Sequence, residues 1–592
     1  MKEEIIQLTE DVSSSSLYSD DLAPVTKENR SWSVWSLAAL WVGMAVCIPT
    51  FLLASYFTQQ GMSWIWALII IGIANLIITI PMVLSGHAGV KYGVSFPVVG
   101  RAVFGVKGVH IPAILRGLIA AAWFGIQTWI GGIAVYSIYC AFTGTNAEPL
   151  GVLSFGKFVG FFIFWCINIF FIWKGTESIK WLETYAAPLL LIMGIALIIW
   201  GSINSGSFKT VLDNSYQMEN PTATIVQLNS KRDIKLTITP LTGTDGVLKA
   251  DQYTYKLPNS KRVRPWINFT QNRPANIVIS DKENNLTDIL SGKDSIFIKV
   301  RKSIINKKKL KNPFTSKSIK ATVISSKKKG FFEGIWPYMI MLTGMVGFWA
   351  TMSISIADIT RYAKSQKDQV KGQFIGLPGT MILFSFIAIF ATVASGLIFP
   401  DVLIREQAPW NPSNLVDKFD GTFLKVFSQF MLIIATLSTN IAANVIAPAN
   451  AFANAFPKKI TFRSGGIITG FIGIILCPWW LMSDITTLLL FVSSLLGPVV
   501  AIMICDYFLI RKTKLNLNDM FKTEGQYSYG GSGFNKTAMI AFGIGAFIAG
   551  IGKFVSELRF LFDIAWFVGF FVAFVLYYVL IKMDIKSGKV KV

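Results

Sequence analysis

The feature that most constrains this chain is the recurrence of long, almost charge-free apolar runs. A helix needs about 20 mostly apolar residues to cross a bilayer. Twelve stretches approach that length, near 34–57, 62–85, 109–140, 156–174, 180–203, 334–361, 373–399, 424–450, 464–482, 485–510, 537–552 and 559–582. Lipid offers no partner to a bare peptide group, so such runs fold as helices packed side by side. The expectation is an all-α polytopic membrane protein with twelve transmembrane helices. Charge content agrees: 15% of residues are charged, against roughly 25% in soluble domains.

The net charge is +22, and its distribution argues against nucleic acid as a partner. Residues 206–329 hold 24 Lys/Arg and 9 Asp/Glu, an excess of 24 − 9 = +15 in one hydrophilic stretch. Elsewhere the basic residues sit in short loops between apolar runs. Those after the second, fourth, sixth, eighth and tenth runs carry Lys91, Arg101, Lys107, Lys174, Lys180, Arg361, Lys364, Lys458, Lys459, Arg463, Arg511 and Lys512. The loop at 141–155 has no lysine or arginine and the loop at 400–423 only Arg405 and Lys418. Lys and Arg collect on the cytoplasmic side, which predicts both termini inside, in a plasma or inner membrane.

The expected organisation follows. Residues 1–30 are polar and Ser-rich and read as a disordered cytoplasmic tail. Residues 31–205 and 331–511 each hold five runs. Residues 206–330 form a basic extracytoplasmic insert, 512–582 a loop and two further spans, and 583–592 a cytoplasmic tail. Within the insert, Ile234-Lys235-Leu236-Thr237-Ile238 and Ser295-Ile296-Phe297-Ile298-Lys299-Val300 alternate apolar with polar, as half-buried strands do. A small β-rich unit and a disordered basic stretch both remain open from sequence, and no partner for the insert can be named. Asn268 and Asn285 begin N-x-T sequons.

Polar and helix-breaking residues inside spans point to the chemistry. Gly43 and Pro49 bracket part of the first run, and Gly344 and Gly347 lie in the middle of the sixth. Transporters with inverted repeats place substrate where two such helices unwind; glycines that only let helices approach are the competing reading. The eighth run contains Ser438, Thr439 and Asn444 within seven residues. Polar groups there are costly and so usually functional. Adjacent hydroxyls suit a small hard cation, though a lone Ser or Thr more often bonds its own helix. Trp123 and Gln127 are four apart in the third run and share a face: an indole to stack on a flat ring beside an amide to bond its edge. Packing is the ordinary role of such a tryptophan.

Two histidines and five scattered cysteines, with no CxxC pair, leave metal clusters and acid–base catalysis poorly supplied. An enzyme is therefore not expected. A non-transporting membrane sensor on the same frame is the alternative to a carrier.

Taken together, Trp123–Trp129, Gly347–Thr351 with Asp358–Arg361, Ser438–Asn444 and Asp506–Arg511 resemble the nucleobase:cation symporter-1 family. The likeness runs from about Ser31 to Tyr578 and omits roughly 206–330. It implies a LeuT-like fold of two inverted five-helix repeats with broken first and sixth helices, and sodium-coupled, alternatively proton-coupled, symport of a nucleobase, allantoin or hydantoin. It also implies roles. Trp123 and Trp349 would sandwich the ring, and Gln127 and Asn444 would bond its edges. The carbonyls of Gly43, Val46 and Ala435 and the hydroxyls of Ser438 and Thr439 would hold sodium. Cys47 stands where a family member has glutamine and Phe348 where it has glycine, so both belong to the expected pocket and put the choice of ring in question.

Overall fold

The computed structural model describes residues 5–590, apart from 60–61, 146, 149–151, 216–221, 229–232, 240–249, 259–262, 271–272, 281–285, 291–293, 306–307, 317, 325–330, 400–414, 417–418, 420 and 483–484. Arg405, Lys418 and the Asn285 sequon lie outside the described residues.

The helices are α1 Val34–Ala45, α2 Ile48–Gln59, α3 Trp64–Tyr92, α4 Phe96–Phe104, α5 His110–Thr143, α6 Phe155–Lys174 and α7 Thr176–Asn204, then α8 Phe331–Ser355, α9 Ala357–Thr360, α10 Gln366–Ile398, α11 Thr422–Asn444, α12 Ile446–Ala455, α13 Phe462–Ile475, α14 Ile485–Ile504, α15 Lys536–Gly550 and α16 Ala565–Lys586. Other short helices are left unnumbered. Local chemistry marks the ends. Ser33 and Ser36 form a reciprocal capping box at the start of α1. The long helices α3 and α5 stop at Gly93 and Gly144, which take the left-handed conformation that glycine reaches without strain.

Among the described residues nine helices are long and apolar enough to cross a membrane, and ten if α1 and α2 count as one bent span. The two other expected spans coincide with shorter apolar helices, Pro188–Asn204 and Phe462–Ile475. Each of the twelve apolar stretches is thus helical, while ten meet the length for a span.

The packing has an internal exchange pattern. Helix α1 packs on α10, and α8 packs on α3. Helix α7 touches α1, α10 and α11; α14 touches α8, α3 and α5. Helices α5 and α11 pack together, as do α3 and α10. Exchanging α1 with α8, α3 with α10, α5 with α11 and α7 with α14 leaves this set unchanged. Helix α16 lies against α14 and α15.

Two expectations are corrected. The sixth span is not broken at its glycines: α8 runs continuously from Phe331 to Ser355, and the interruption falls at Ile356, before α9. Gly347 serves close packing instead. A Cβ on Gly347 would collide with Ser493 Oγ of α14, whereas one on Gly344 would meet no atom of the described residues within 4 Å. The N-terminal segment is also not a disordered tail from residue 5 onward. Ile6 N donates to Lys91 O, Val25 N to Gly93 O, and the Asp21 carboxylate accepts from Phe462 N at the start of α13. Leu22 is fully buried, and Val12 nearly so. Apolar residues spaced through a polar segment give it an inner side, and its backbone supplies the remaining partners.

The insert is β-rich. Strands β1 Thr222–Leu228, β2 Asp233–Thr239, β3 Gln252–Lys256, β4 Ile267–Asn268, β5 Ala275–Ile279, β6 Phe297–Ile305, β7 Lys308–Thr315, β8 Ile319–Lys320 and β9 Thr322–Ile324 make two sheets. Their orders are β5-β2-β1-β9 and β4-β3-β6-β7, with β8 also on β6. The alternation read from sequence is the burial pattern: Ile234, Leu236 and Ile238 point inward on β2, and Ile298 and Val300 on β6. They share a core with Ile225, Tyr253 and Ile296.

Candidate functional site

The site begins at the break in the first span. Helices α1 and α2 meet at 65°. In an unbroken helix Cys47 N would donate to Gly43 O; here it donates to Ala45 O at 3.0 Å. Pro49 is the second residue of α2, where its missing N–H costs nothing. The Gly43 carbonyl, released from the helix ladder, is met from α11 by the hydroxyls of Thr439 at 3.1 Å and Ser438 at 3.4 Å. Thr439 Oγ1 also lies 3.3 Å from Met44 O. Val46 and Ala435 are neighbours in one apolar cluster beside this point. The structure therefore brings the five residues expected around sodium to one place.

These groups fit such an ion. The donors are neutral carbonyl and hydroxyl oxygens, which hard cations prefer, and no cluster of His, Cys, Asp or Glu suited to another metal occurs among the described residues. Carbonyls released at a helix break are the groups with which transporters of inverted-repeat build hold a coupling ion.

A cavity lies alongside, lined by Met44, Trp123, Gln127, Phe348, Trp349, Thr351, Met352, Thr439, Ala443 and Asn444. Among the described residues two buried polar atoms here have no partner: Gln127 Oε1, an acceptor, and Trp349 Nε1, a donor. Unpaired buried groups of this kind are costly and mark places where a ligand or water belongs. Helix α5 supplies Trp123 and Gln127 one turn apart. Helix α8 supplies Phe348 and Trp349, and α11 ends at Asn444, after which Val445 interrupts the span before α12.

Two details differ from the expected pocket. Trp123 and Trp349 do not face one another across an open slot. Phe348 stands edge-on to Trp123, with centroids 5.7 Å apart, and is tilted against Trp349 at 4.9 Å. The remaining space is about 30 Å³, room for water and far less than the roughly 300 Å³ or more of a small-molecule site. Cys47 lines a neighbouring apolar cavity with Val46 and Ala435, and its thiol lies 3.2 Å from Thr50 Oγ1.

Two residues given no role from sequence also converge here. Arg116 on α5 is buried; its Nε donates to Thr351 O at 2.8 Å and Ser355 Oγ at 3.2 Å, and its Nη2 to Ala443 O at 3.4 Å. It ties the end of α8 to α5 and α11 beneath the cavity. An arginine inside an apolar run is the signal that would have found it. Asn440, one turn before Asn444, bonds the Asn444 amide at 3.1 Å.

A bundle of apolar helices around a small polar cavity, beside a broken helix with a released carbonyl, is an architecture that membrane permeases share. Comparison with known proteins gives the family. Residues 24–230 and 314–569 match the profile of permeases for cytosine/purines, uracil, thiamine and allantoin. The chain is 31% identical to an allantoin permease of Bacillus subtilis over 96% of its own length and 94% of the relative's. It is 29% identical to the purine-uracil permease NCS1 of Arabidopsis thaliana, over 96% of this chain and 78% of that one. The chain belongs to the nucleobase:cation symporter-1 family. Its fold is that of Mhp1, a family transporter solved in a closed conformation with bromovinylhydantoin bound, at a TM-score of 0.66, 22% identity and 97% coverage of both chains. Residues 231–313, most of the insert, lie outside the family profile.

Proposed function

We propose that this chain is a sodium-coupled symporter that carries a flat ring with amide edges, of the uracil, allantoin or hydantoin type, by alternating access. The observation that carries the reading is the pair of unpartnered atoms, Gln127 Oε1 and Trp349 Nε1, in a cavity walled by indoles and a phenyl ring. A ring that offers both N–H and C=O on its edge satisfies both atoms, and its faces stack on aromatic walls. The relatives agree in substrate: one is an allantoin permease and another a purine-uracil permease.

In this reading Trp123 stacks on the ring, with Phe348 yielding to it; Trp349, expected from sequence to stack on the other face, presents its Nε1–H to the ring's edge instead, and Gln127 and Asn444 bond the edge beside it. Cys47, beside Val46 and Ala435, shapes the wall between ring and ion. Gly43, Val46 and Ala435 carbonyls and the Ser438 and Thr439 hydroxyls hold sodium. When bound, the ion supplies a positive charge that ties the α1–α2 break to α11. Because α1 and α11 border both sites, each ligand strengthens the binding of the other. The exchange pattern of the helices supports two inverted five-helix halves that rock about the site. The basic loops support cytoplasmic termini, with the insert on the outer side.

Uptake into proteoliposomes tests the proposal, with labelled uracil, allantoin and hydantoin and with sodium or choline outside. Sodium-stimulated uptake of one ring is expected. Gradient-driven uptake indifferent to sodium would replace the ion with a proton, and absence of any uptake by folded protein would favour a sensor.

A further inference from the structure

Behind the cavity runs a chain of side-chain amides whose direction is set by backbone carbonyls. Asn168 Nδ2 on α6 donates to Phe164 O at 2.8 Å, which turns its Oδ1 toward Asn440 Nδ2 at 3.0 Å. The same Asn440 nitrogen lies 3.3 Å from Phe124 O and 3.2 Å from Thr128 Oγ1. Thr128 has already given its proton to Phe124 O at 2.7 Å, so it can only accept from Asn440. Carbonyls accept and never donate. The Asn440 amide therefore has one orientation, fixed independently by Phe124 and by Asn168. Its Oδ1 then accepts from Asn444 Nδ2 at 3.1 Å.

Asn168, Thr128 and Asn440 are fully buried. Reversing any amide would set acceptor against acceptor among buried groups, leaving each without a partner. Orientations of asparagine amides follow from such networks, and this one is anchored on carbonyls at two points. The consequence reaches the cavity. Asn444 commits an N–H to Asn440, and its Oδ1 remains for whatever the cavity holds. With Gln127 Oε1 this makes two acceptors toward the cavity, beside the Trp349 Nε1 donor and the second Asn444 N–H.

We propose that Asn440 and Asn168 are positioning residues that fix Asn444 as a hydrogen-bond acceptor, so that the site selects cyclic ureides and imides presenting N–H at that edge over isosteres whose nitrogen is replaced or blocked. The inference rests on the cavity being the ring site.

The test measures equilibrium binding to the purified full chain by quenching of tryptophan fluorescence. The probes are hydantoin, oxazolidine-2,4-dione, in which a ring oxygen replaces one N–H, and 3-methylhydantoin, in which the other is blocked. Wild type should prefer hydantoin to at least one isostere by about tenfold or more. In Asn440→Leu the Asn444 amide is free to turn, and that preference should fall to about threefold or less, mainly through weaker hydantoin binding. Asn168→Leu, further from the cavity, should shift the ratio the same way by a smaller factor and serves if the first variant fails to fold, as judged by thermal melting. An unchanged ratio in the folded variants, or equal weakening of all three probes, overturns the inference while leaving the ring site standing. Wild type that binds none of hydantoin, uracil and allantoin removes the ring reading, and this inference with it.

Discussion

The Thr439 hydroxyl of α11 lies 3.1 Å from the Gly43 carbonyl, the oxygen that the α1–α2 break strips of its helical N–H. The two groups belong to different helices and meet only because one helix is interrupted. If they bind sodium, removing hydroxyls removes ligands. Ser438→Ala and Thr439→Ala should each raise the half-saturating sodium concentration about tenfold, roughly 1.4 kcal/mol. The double variant should lose sodium stimulation altogether. The check is sodium titration of uptake; full stimulation in the double variant would move the ion elsewhere.

Gln127→Leu keeps the size of the side chain and removes the unpartnered acceptor. A ring N–H facing it would then lose its partner, at about 1–3 kcal/mol. Binding of the transported ring should weaken about tenfold, with the sodium dependence of the remaining uptake retained. Competition assays against a labelled ring measure this directly.

Phe348 fills the space between Trp123 and Trp349. Phe348→Ala should open room for bulkier rings, so that 5-substituted hydantoins compete better relative to hydantoin itself than they do in wild type. A substrate profile identical to wild type would mean that Phe348 leaves the site entirely when the ring binds.

Gly344 and Gly347 differ in what surrounds them, although both lie in the middle of α8. Gly344→Ala should be tolerated, having open space. Gly347→Ala drives a methyl group into Ser493 Oγ and should lower thermal stability and uptake together. Adding Ser493→Ala removes that oxygen and should restore much of both. Failure of the double variant to recover would point to unwinding at Gly347 rather than close packing.

The N-terminal segment offers a test of its own. Leu22 is fully buried within an otherwise polar stretch. Leu22→Ala should cost about 2–5 kcal/mol, as other buried leucines do, and lower the melting temperature in detergent. A melting curve unchanged from wild type would show that this segment adds nothing to stability.

Much of this was legible in one dimension because the bilayer imposes a simple rule. Runs such as 62–85 and 373–399 must be helices wherever they sit, since lipid leaves their backbone no other partner. Alternation at Ile234–Ile238 likewise announced a strand, because side chains on a strand point alternately to opposite faces. The polar residues Ser438, Thr439, Asn444 and Gln127 stood out because burial in apolar runs makes polarity expensive. Position in space was another matter. That Gly347 packs against Ser493, that Phe348 closes the slot between two tryptophans, that Asn168 orients Asn440, and that residues 5–30 fold back onto the helix ends all depend on residues tens to hundreds of positions apart. Local pattern reports which groups are costly to bury. Only the tertiary arrangement decides which partner meets each of them, because hydrogen bonds and close packing are satisfied across helices whose approach the sequence does not spell out.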